Sequence, residues 1–352
     1  MDNQFDITFG KLPTTFIGRM DTIAEIENDF CSDFPLSNVY IISGVRGCGK
    51  TVLLNKIYSI FSEKEEWVVV KINPNRDILE QIAASIYENE NVKKLFVKKN
   101  ISFSFHGISF SIEGEVPVSN AKTLLDKMFS HLKKHGKKIL LCLDEASNSP
   151  EMRAFALDFQ NFIGDNQPLF LLMTGLYENI NSLQNKKSLT FLYRAPKIYL
   201  QPLDLIDIKD AYLKIFKSTA FEDILELAKL TCGYAYAFQL VGSLFSKTQK
   251  ISNGFIEELD SNLKGYCYDK VYEGIPNSEL SLIKIIPESG SCSSRFIVDH
   301  SKFTIKEISV YKDRLIKRGV LRDQKGIFEF TLPRFANYLK KKENIIWYEN
   351  YS

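Results

Sequence analysis

Five short runs in the first two hundred positions are almost wholly apolar: "NVYIIS" (38–43), "WVVVKI" (67–72), "ILLCL" (139–143), "QPLFLLMTG" (167–175) and "PKIYLQPL" (196–203). Apolar residues that follow one another without alternation, many of them β-branched, predict strands covered on both faces. Segments with apolar residues at helical spacing lie between them, such as "TVLLNKIYSIF" (51–61). Strands alternating with helices call for an α/β fold with a parallel, doubly wound sheet.

Strict alternation occurs once, in "ISFSFHGISFSI" (101–112). With His106-Gly107 as a two-residue turn, Phe105 faces Ile108, Phe103 faces Phe110 and Ile101 faces Ile112. The apolar side chains then share one face and the serines the other. That face has to be covered, either by the chain's own core or by another molecule, whether a second copy, another protein or nucleic acid.

The pattern changes after position 276. "NSELSLIKII" and "SSRFIVDHS" predict two short helices, and "TIKEISVYKDRLIKRG" (304–319) a third, opened by a Thr304–Glu307 capping box and stopped by Gly319. "VLRDQKGIFEF" (320–330) then reads as two strands around 323–326, which is winged helix-turn-helix order. On the third helix Ile305, Ile308, Tyr311, Leu315 and Ile316 share one arc, and Lys306, Arg314, Lys317 and Arg318 lie opposite with Glu307 and Asp313. Those four cations, with Arg322 and Lys325 on the wing, are the candidate contacts for double-stranded DNA; the two carboxylates on the same face argue against it.

Composition narrows the class. The 352 residues are 45% hydrophobic and 25% charged, enough for two or three globular domains. No run approaches the ~20 apolar residues that span a bilayer, and "MDNQFDITFG" lacks a basic and an apolar signal region, so a cytoplasmic protein without a membrane partner is expected. Six scattered cysteines and four histidines form no metal-ligand or redox spacing. The net charge of +2 is uneven: 14 Lys and Arg against 9 Asp and Glu leave +5 on 277–352, and the remainder carries −3.

Candidate chemistry centres on "SGVRGCGKT" (43–51), which fits G-x-x-x-x-G-K-[ST] with a predicted strand before it and a helix after it. Its glycines let successive N–H groups converge on phosphate oxygens at a helix N-terminus. Gly44, Val45, Arg46, Gly47, Cys48, Gly49, Lys50, Thr51 and Val52 are therefore the expected ATP contacts, with Lys50 on the β and γ phosphates and the Thr51 hydroxyl on Mg²⁺. Asp144, at the end of the 139–143 strand, is the second expected magnesium ligand. Glu145 is placed to polarise an attacking water. Thr174 ends the next strand, where its hydroxyl either orients the same water or caps the following segment.

With these motifs the chain resembles the AAA+ ATPases, in particular archaeal and bacterial origin-recognition-like and STAND-type ATPases. "FIGRMDTIAEIENDF" (16–30) is similar to the family's element over the adenine, which implies Ile17, Gly18 and Arg19 as base contacts. "CGYAYAFQLVG" (232–242) resembles its lid motif and implies Tyr234, with Ala235 standing where the family often has Pro. No Arg or Lys lies between 231 and 245, so the resemblance lacks the sensor-2 arginine and implies slow hydrolysis. Arg194 sits where origin-recognition ATPases place an arginine finger acting on a neighbouring protomer, and it reads equally as an exposed helix-end cation.

The expected architecture is a P-loop (AAA+) parallel-sheet ATPase domain over 1–200, a helical lid over 201–275, a C-terminal winged helix-turn-helix domain over 276–340, and a tail over 341–352 that docks on a neighbour or frays. Two functions fit it: an ATP/ADP switch associated with DNA, and a STAND-like protein-interaction or defence switch that touches no DNA. A small-molecule kinase fits less well, having no acceptor pocket in the sequence and no use for the C-terminal domain.

Overall fold

The computed structural model describes residues 4–7, 13–97, 120–186 and 189–351. The hairpin expected over 101–112, with its partner surface, lies outside the described residues. The chain divides into two compact units, one of Met20–Ile42 and Leu53–Ile198, the other of Met1–Arg19, Ser43–Val52 and Tyr199–Ser352.

The first unit is built around a five-stranded sheet, and of the elements that follow only residues 43, 50–52 and 199 fall in the second unit. In chain order its elements are α1 (Met20–Cys31), β1 (Val39–Ser43), α2 (Lys50–Ser62), β2 (Trp67–Ile72), α3 (Ile78–Glu88), α4 (Glu90–Val97), α5 (Ala121–Lys134), β3 (Lys138–Leu143), α6 (Pro150–Gly164), β4 (Leu169–Gly175), α7 (Tyr177–Gln184), α8 (Thr190–Arg194) and β5 (Lys197–Tyr199). Strand order is β2-β3-β4-β1-β5, and β3 runs parallel to both neighbours, with Leu143 opposite Ile72 and Met173. All of β1 and β4 is buried, as uninterrupted apolar runs require when helices cover both faces. Val68, Val70, Ile139, Leu141 and Leu171 point into one core with α3, α5 and α6. On the opposite face Phe30, Phe61, Trp67 and Phe170 interlock, with ring centroids 4.6–6.1 Å apart.

Helix starts follow local chemistry. Asp77, Asn120 and Ser149 each accept a backbone N–H of the turn they open, and Pro150 supplies a preset first position in α6. The last strand is shorter than the 196–203 run: after Leu200 N donates to Ser43 O, Leu203 N turns away to Gly233 O.

The second unit continues with α9 (Leu205–Ile215), α10 (Phe221–Leu230), α11 (Ala235–Thr248), α12 (Asn253–Leu263), a π-helical turn (Lys264–Tyr268), α13 (Asp269–Gly274), α14 (Asn277–Ile283), β6 (Ser291–Ser293), α15 (Ser294–Asp299), α16 (Ile305–Arg318), β7 (Leu321–Gln324), β8 (Ile327–Phe330) and α17 (Phe335–Tyr351). The N-terminal segment belongs here: Phe5 is 2% exposed among Tyr212, Phe216 and Phe238, and its ring fills the space that a side chain at Gly242 would need.

Past position 276 the three expected helices and the hairpin are present, joined by a strand the sequence pattern hid. Three-residue β6 pairs antiparallel with β8, giving the order β6-β8-β7. The capping box at Thr304 and Glu307 forms, and Gly319 closes α16 at φ 79°. The tail expected over 341–352 is not a separate segment: α17 runs through it to Tyr351.

One of the cations expected on the outer face of α16 is inside. Arg318 is 8% exposed, donating to Glu279 Oε2 at 2.8 Å and to Gly274 O at 3.2 Å. Glu279, 1% exposed on α14, is a buried carboxylate that needs this guanidinium. Conversely Ile305, placed on the apolar arc, is 76% exposed in the first turn.

The start of α17 is held by two carboxylates. Arg334 and Lys341 bind Asp260, and the Tyr338 hydroxyl and Lys342 bind Asp269. Burial works to raise the Asp269 carboxyl, but hydrogen bonds from Lys264, Tyr338 and Lys342 hold it down at about 2. A depressed carboxylate stabilises the fold fully above its unfolded value of about 4 and loses that contribution as pH falls. Hydrogen exchange across 335–343 should therefore be pH-independent in protection down to pH about 4 and lose protection from there toward pH 2. Equal protection at pH 2 and 5 would contradict this anchoring.

Candidate functional site

The phosphate-loop sequence forms a tight curl in the second unit. Lys50 opens α2, and its ammonium turns back to donate to Gly44 O and Val45 O, both at 2.9 Å, closing the neck of the loop. Gly47 sits at φ 78° and Gly49 at φ 95°. A side chain at Gly47 would collide with the Tyr234 hydroxyl, so both the backbone angle and the space demand glycine.

The loop's carbonyls are held by the start of α11. The Tyr234 hydroxyl donates to Arg46 O at 2.5 Å, and Tyr236 N donates to Gly47 O at 3.1 Å. Burial raises the Tyr234 phenol well above its ordinary value, which keeps it a donor. Arg19 donates to Cys48 O at 3.0 Å, and burial lowers its proton affinity only from a very high starting point, so it stays charged.

Arg19, Val45, Cys48 and Tyr234, four of the residues expected to bind ATP, line one small cleft. Ile17, Gly18, Gly44, Arg46, Gly47, Gly49, Lys50, Thr51 and Val52, expected with them, are not in its lining. Pro202, Ala235, Gly319 and Thr331 are also part of the lining. Ala235 was visible as a departure from the lid motif, whereas Gly319 and Thr331 carry no local signal because they arrive from sequence nearly three hundred positions away. A methyl group on Gly319 would stand 3.1 Å from Val45 N, and Gly319 O accepts the Thr331 hydroxyl at 2.5 Å.

The acidic strand end lies in the first unit. Asp144 and Glu145 follow β3, and Thr174 ends the neighbouring β4. Fully buried Thr174 donates its hydroxyl to Asp144 Oδ1. Glu145 N donates to Asp144 Oδ1 at 3.1 Å and to Thr174 Oγ1 at 3.3 Å, while Ala146 N reaches Thr174 O at 2.7 Å. Glu145 is thereby held at φ 57°, a left-handed conformation that costs a residue with a Cβ about 1–2 kcal/mol, and its side chain is exposed. The Thr174 hydroxyl, expected from sequence to orient a water or cap the following segment, is bonded to both residues of the acid pair.

Arg194 ends α8 and is exposed, with no ion pair among the described residues. The helix-end carbonyls near it are taken by Lys197, whose ammonium reaches Leu192 O, Tyr193 O and Ala195 O at 2.7–3.2 Å. The other candidate cations are largely committed. Besides Arg318, Lys317 pairs with Asp313 at 2.7 Å, Arg322 with Glu329 at 2.8 Å, and Arg314 lies 3.8 Å from Glu279. Lys306 and Lys325 are exposed.

Sheet order and loop together give the chain the fold of P-loop ATPases. Residues 16–164 match the family model described as "ATPase domain predominantly from Archaea". No curated protein matches the chain. Among solved structures it is similar to the Walker-type ATPase PABY2304 of Pyrococcus abyssi, at TM-score 0.60 and 15% identity over 92% of this chain and 96% of that one. It is also similar to the ORC2 protein of Aeropyrum pernix in ADPNP-ADP complexes, at TM-score 0.56 and 14% identity over 98% of both chains. At such identities the likeness is one of fold. No helix among the described residues is long and apolar enough to cross a membrane.

Replacing Thr174 with Val should leave nucleotide affinity within about threefold and lower turnover by about ten- to a hundredfold, as expected when a buried hydrogen bond that positions an acid pair is lost. Unchanged steady-state turnover would show that Thr174 only packs.

Proposed function

We propose that the chain is an ATP-operated switch, binding ATP at residues 44–52 and passing the state of that loop to the C-terminal helices and strands. The carrying observation is that Val45, in the loop, lies against Gly319, the stop of α16, within one cleft. The fit to a nucleotide is supported by the left-handed Gly47, by Lys50 at the loop neck and by the start of α2 at the loop. Thr51, in the first turn of α2, and Asp144 are the proposed magnesium ligands, and the ion would supply charge neutralisation on the phosphates. Glu145 is the proposed base, its exposed carboxylate fixed by the turn at φ 57°. Arg19, at the cleft, is the proposed base-side contact. The missing sensor-2 arginine supports slow turnover.

Arg194 is proposed as a group acting on a neighbouring protomer, because Lys197 already serves the end of α8 and leaves Arg194 exposed. Residues 276–340 are proposed as a winged helix. Duplex DNA as its partner draws support from exposed Lys306 and Lys325, while the pairing of Lys317, Arg318 and Arg322 favours the protein-interaction reading.

Lys50→Ala should abolish ATP binding in a calorimetric titration, and Glu145→Gln should retain it while turnover falls by about a hundredfold or more. Equal turnover in the Gln variant removes Glu145 from the base role. A gel shift on duplex DNA at low salt, with and without ATP, divides the two partner readings: a shift that weakens steeply with salt supports DNA, and no shift at low salt leaves the protein-interaction switch.

A further inference from the structure

Gln239 is a polar side chain buried in the middle of α11, between Phe238 and Leu240. Burying an amide is unfavourable unless both of its ends are bonded, and both ends of this one serve the N-terminal segment. Oε1 accepts Asp6 N at 2.9 Å, and Nε2 donates to Thr15 O at 3.1 Å. The segment is seated beside it by Phe5, whose ring lies over Gly242, one turn further along α11. Thr15 Oγ1 donates in turn to Gln4 O at 3.4 Å, so the two stretches that Gln239 holds are also joined to each other.

These bonds close a circuit through the phosphate loop. Four residues after Thr15, Arg19 donates to Cys48 O at 3.0 Å. Next to Cys48, Gly47 O accepts Tyr236 N, and Tyr236 stands one turn before Gln239 on α11. Starting and ending on α11, the path runs through Gln239, Thr15, Arg19, Cys48, Gly47 and Tyr236, all within the second unit. In a closed circuit no member shifts alone. Opened at Gln239, Arg19 still meets the loop, but the stretch that carries it has lost its anchor on α11.

We propose that Gln239 is a positioning residue for the nucleotide site: by holding Asp6 and Thr15 on α11 it fixes Arg19 against the phosphate loop, so that seating of the N-terminal segment and binding of a nucleoside triphosphate favour one another. The inference rests on the ATP-binding reading above and adds to it the residue that sets the site from outside. With the circuit closed, Arg19 and the loop are in place before the nucleotide arrives; with it open, the cost of ordering them falls on binding. Linkage makes the effect reciprocal. A nucleotide that binds better to the closed circuit tightens the circuit by the same factor.

The test is calorimetric titration of the full chain with the β,γ-imido analogue of ATP and magnesium, for the wild type and Gln239→Met, joined to amide exchange at Asp6 in the wild type with and without the analogue. Loss of both Gln239 bonds should weaken the analogue by about five- to thirtyfold, and saturating the wild type should slow Asp6 exchange by about the same factor. An amide that only completes the packing of α11 would not make Asp6 respond to nucleotide. Unchanged affinity in Gln239→Met, or Asp6 exchange indifferent to the bound analogue, overturns the proposal. A wild type that does not bind the analogue overturns the ATP-binding reading and this inference with it, an outcome distinguishable from the other two because both start from a wild type that binds. Should Gln239→Met fold poorly, Phe5→Leu, which keeps the amide and loosens the seat beside it, should weaken the analogue in the same direction; unaltered affinity there, with Asp6 exchange also indifferent, overturns the proposal.

Discussion

The conformation of the phosphate loop depends on two hydrogen bonds that reach it from the start of α11. The Tyr234 hydroxyl holds Arg46 O and the Tyr236 amide holds Gly47 O. Turning either peptide over would forfeit a bond worth about 1 kcal/mol and strand a carbonyl beside a buried phenol. With those carbonyls committed to α11, the curl at Gly47 is set before any ligand arrives, and a preset cradle avoids the ordering cost that a flexible loop would incur on binding. The same two bonds make α11 sensitive to the loop, since a movement of Gly47 cannot leave Tyr236 where it is.

The acidic strand end achieves rigidity by a different route. β4 lies between β3 and β1 in the sheet, so the last polar side chain of β4 is the neighbour of the first carboxylate after β3. Thr174 uses its hydroxyl on Asp144 and its carbonyl on Ala146, and the turn between them forces Glu145 into a left-handed conformation. Strain of this size persists where surrounding bonds over-determine it. Its effect is to expose a carboxylate whose backbone cannot swing.

Much of this was readable from residue order, for identifiable reasons. Uninterrupted apolar runs gave four of the five sheet strands nearly residue for residue, because burial on both faces leaves no position for a polar side chain. The loop and the acid pair are local motifs, and local motifs survive in sequence. What the pattern concealed was long-range. Three-residue β6 has no periodicity of its own and exists because β8 offers it partners. A helical wheel treats every arginine as solvent-facing, yet Arg318 turns inward because Glu279, 39 positions earlier, is a buried carboxylate that requires it. Thr331 and Gly319 entered the cleft in the same unannounced way.

Gly319 serves two demands at once, and their coincidence bears on how the loop and α16 are coupled. As the residue that stops α16 it needs φ 79°, which favours glycine for any helix end. Beside Val45 N it also needs to lack a side chain, since a methyl group would already be 3.1 Å away. The second demand is absent from an ordinary helix stop. It means that the backbone of the phosphate loop and the backbone closing α16 are in near contact with no side chain between them to absorb a displacement. Gly319 O in turn holds Thr331, at the end of β8, so the root of the β7–β8 hairpin moves with the helix stop. For the proposed switch, a coupling of about 1–3 kcal/mol, typical of linked sites, would need only one or two bonds made or broken across such a contact. A shift of Val45 therefore has no soft element in which to dissipate before it reaches α16.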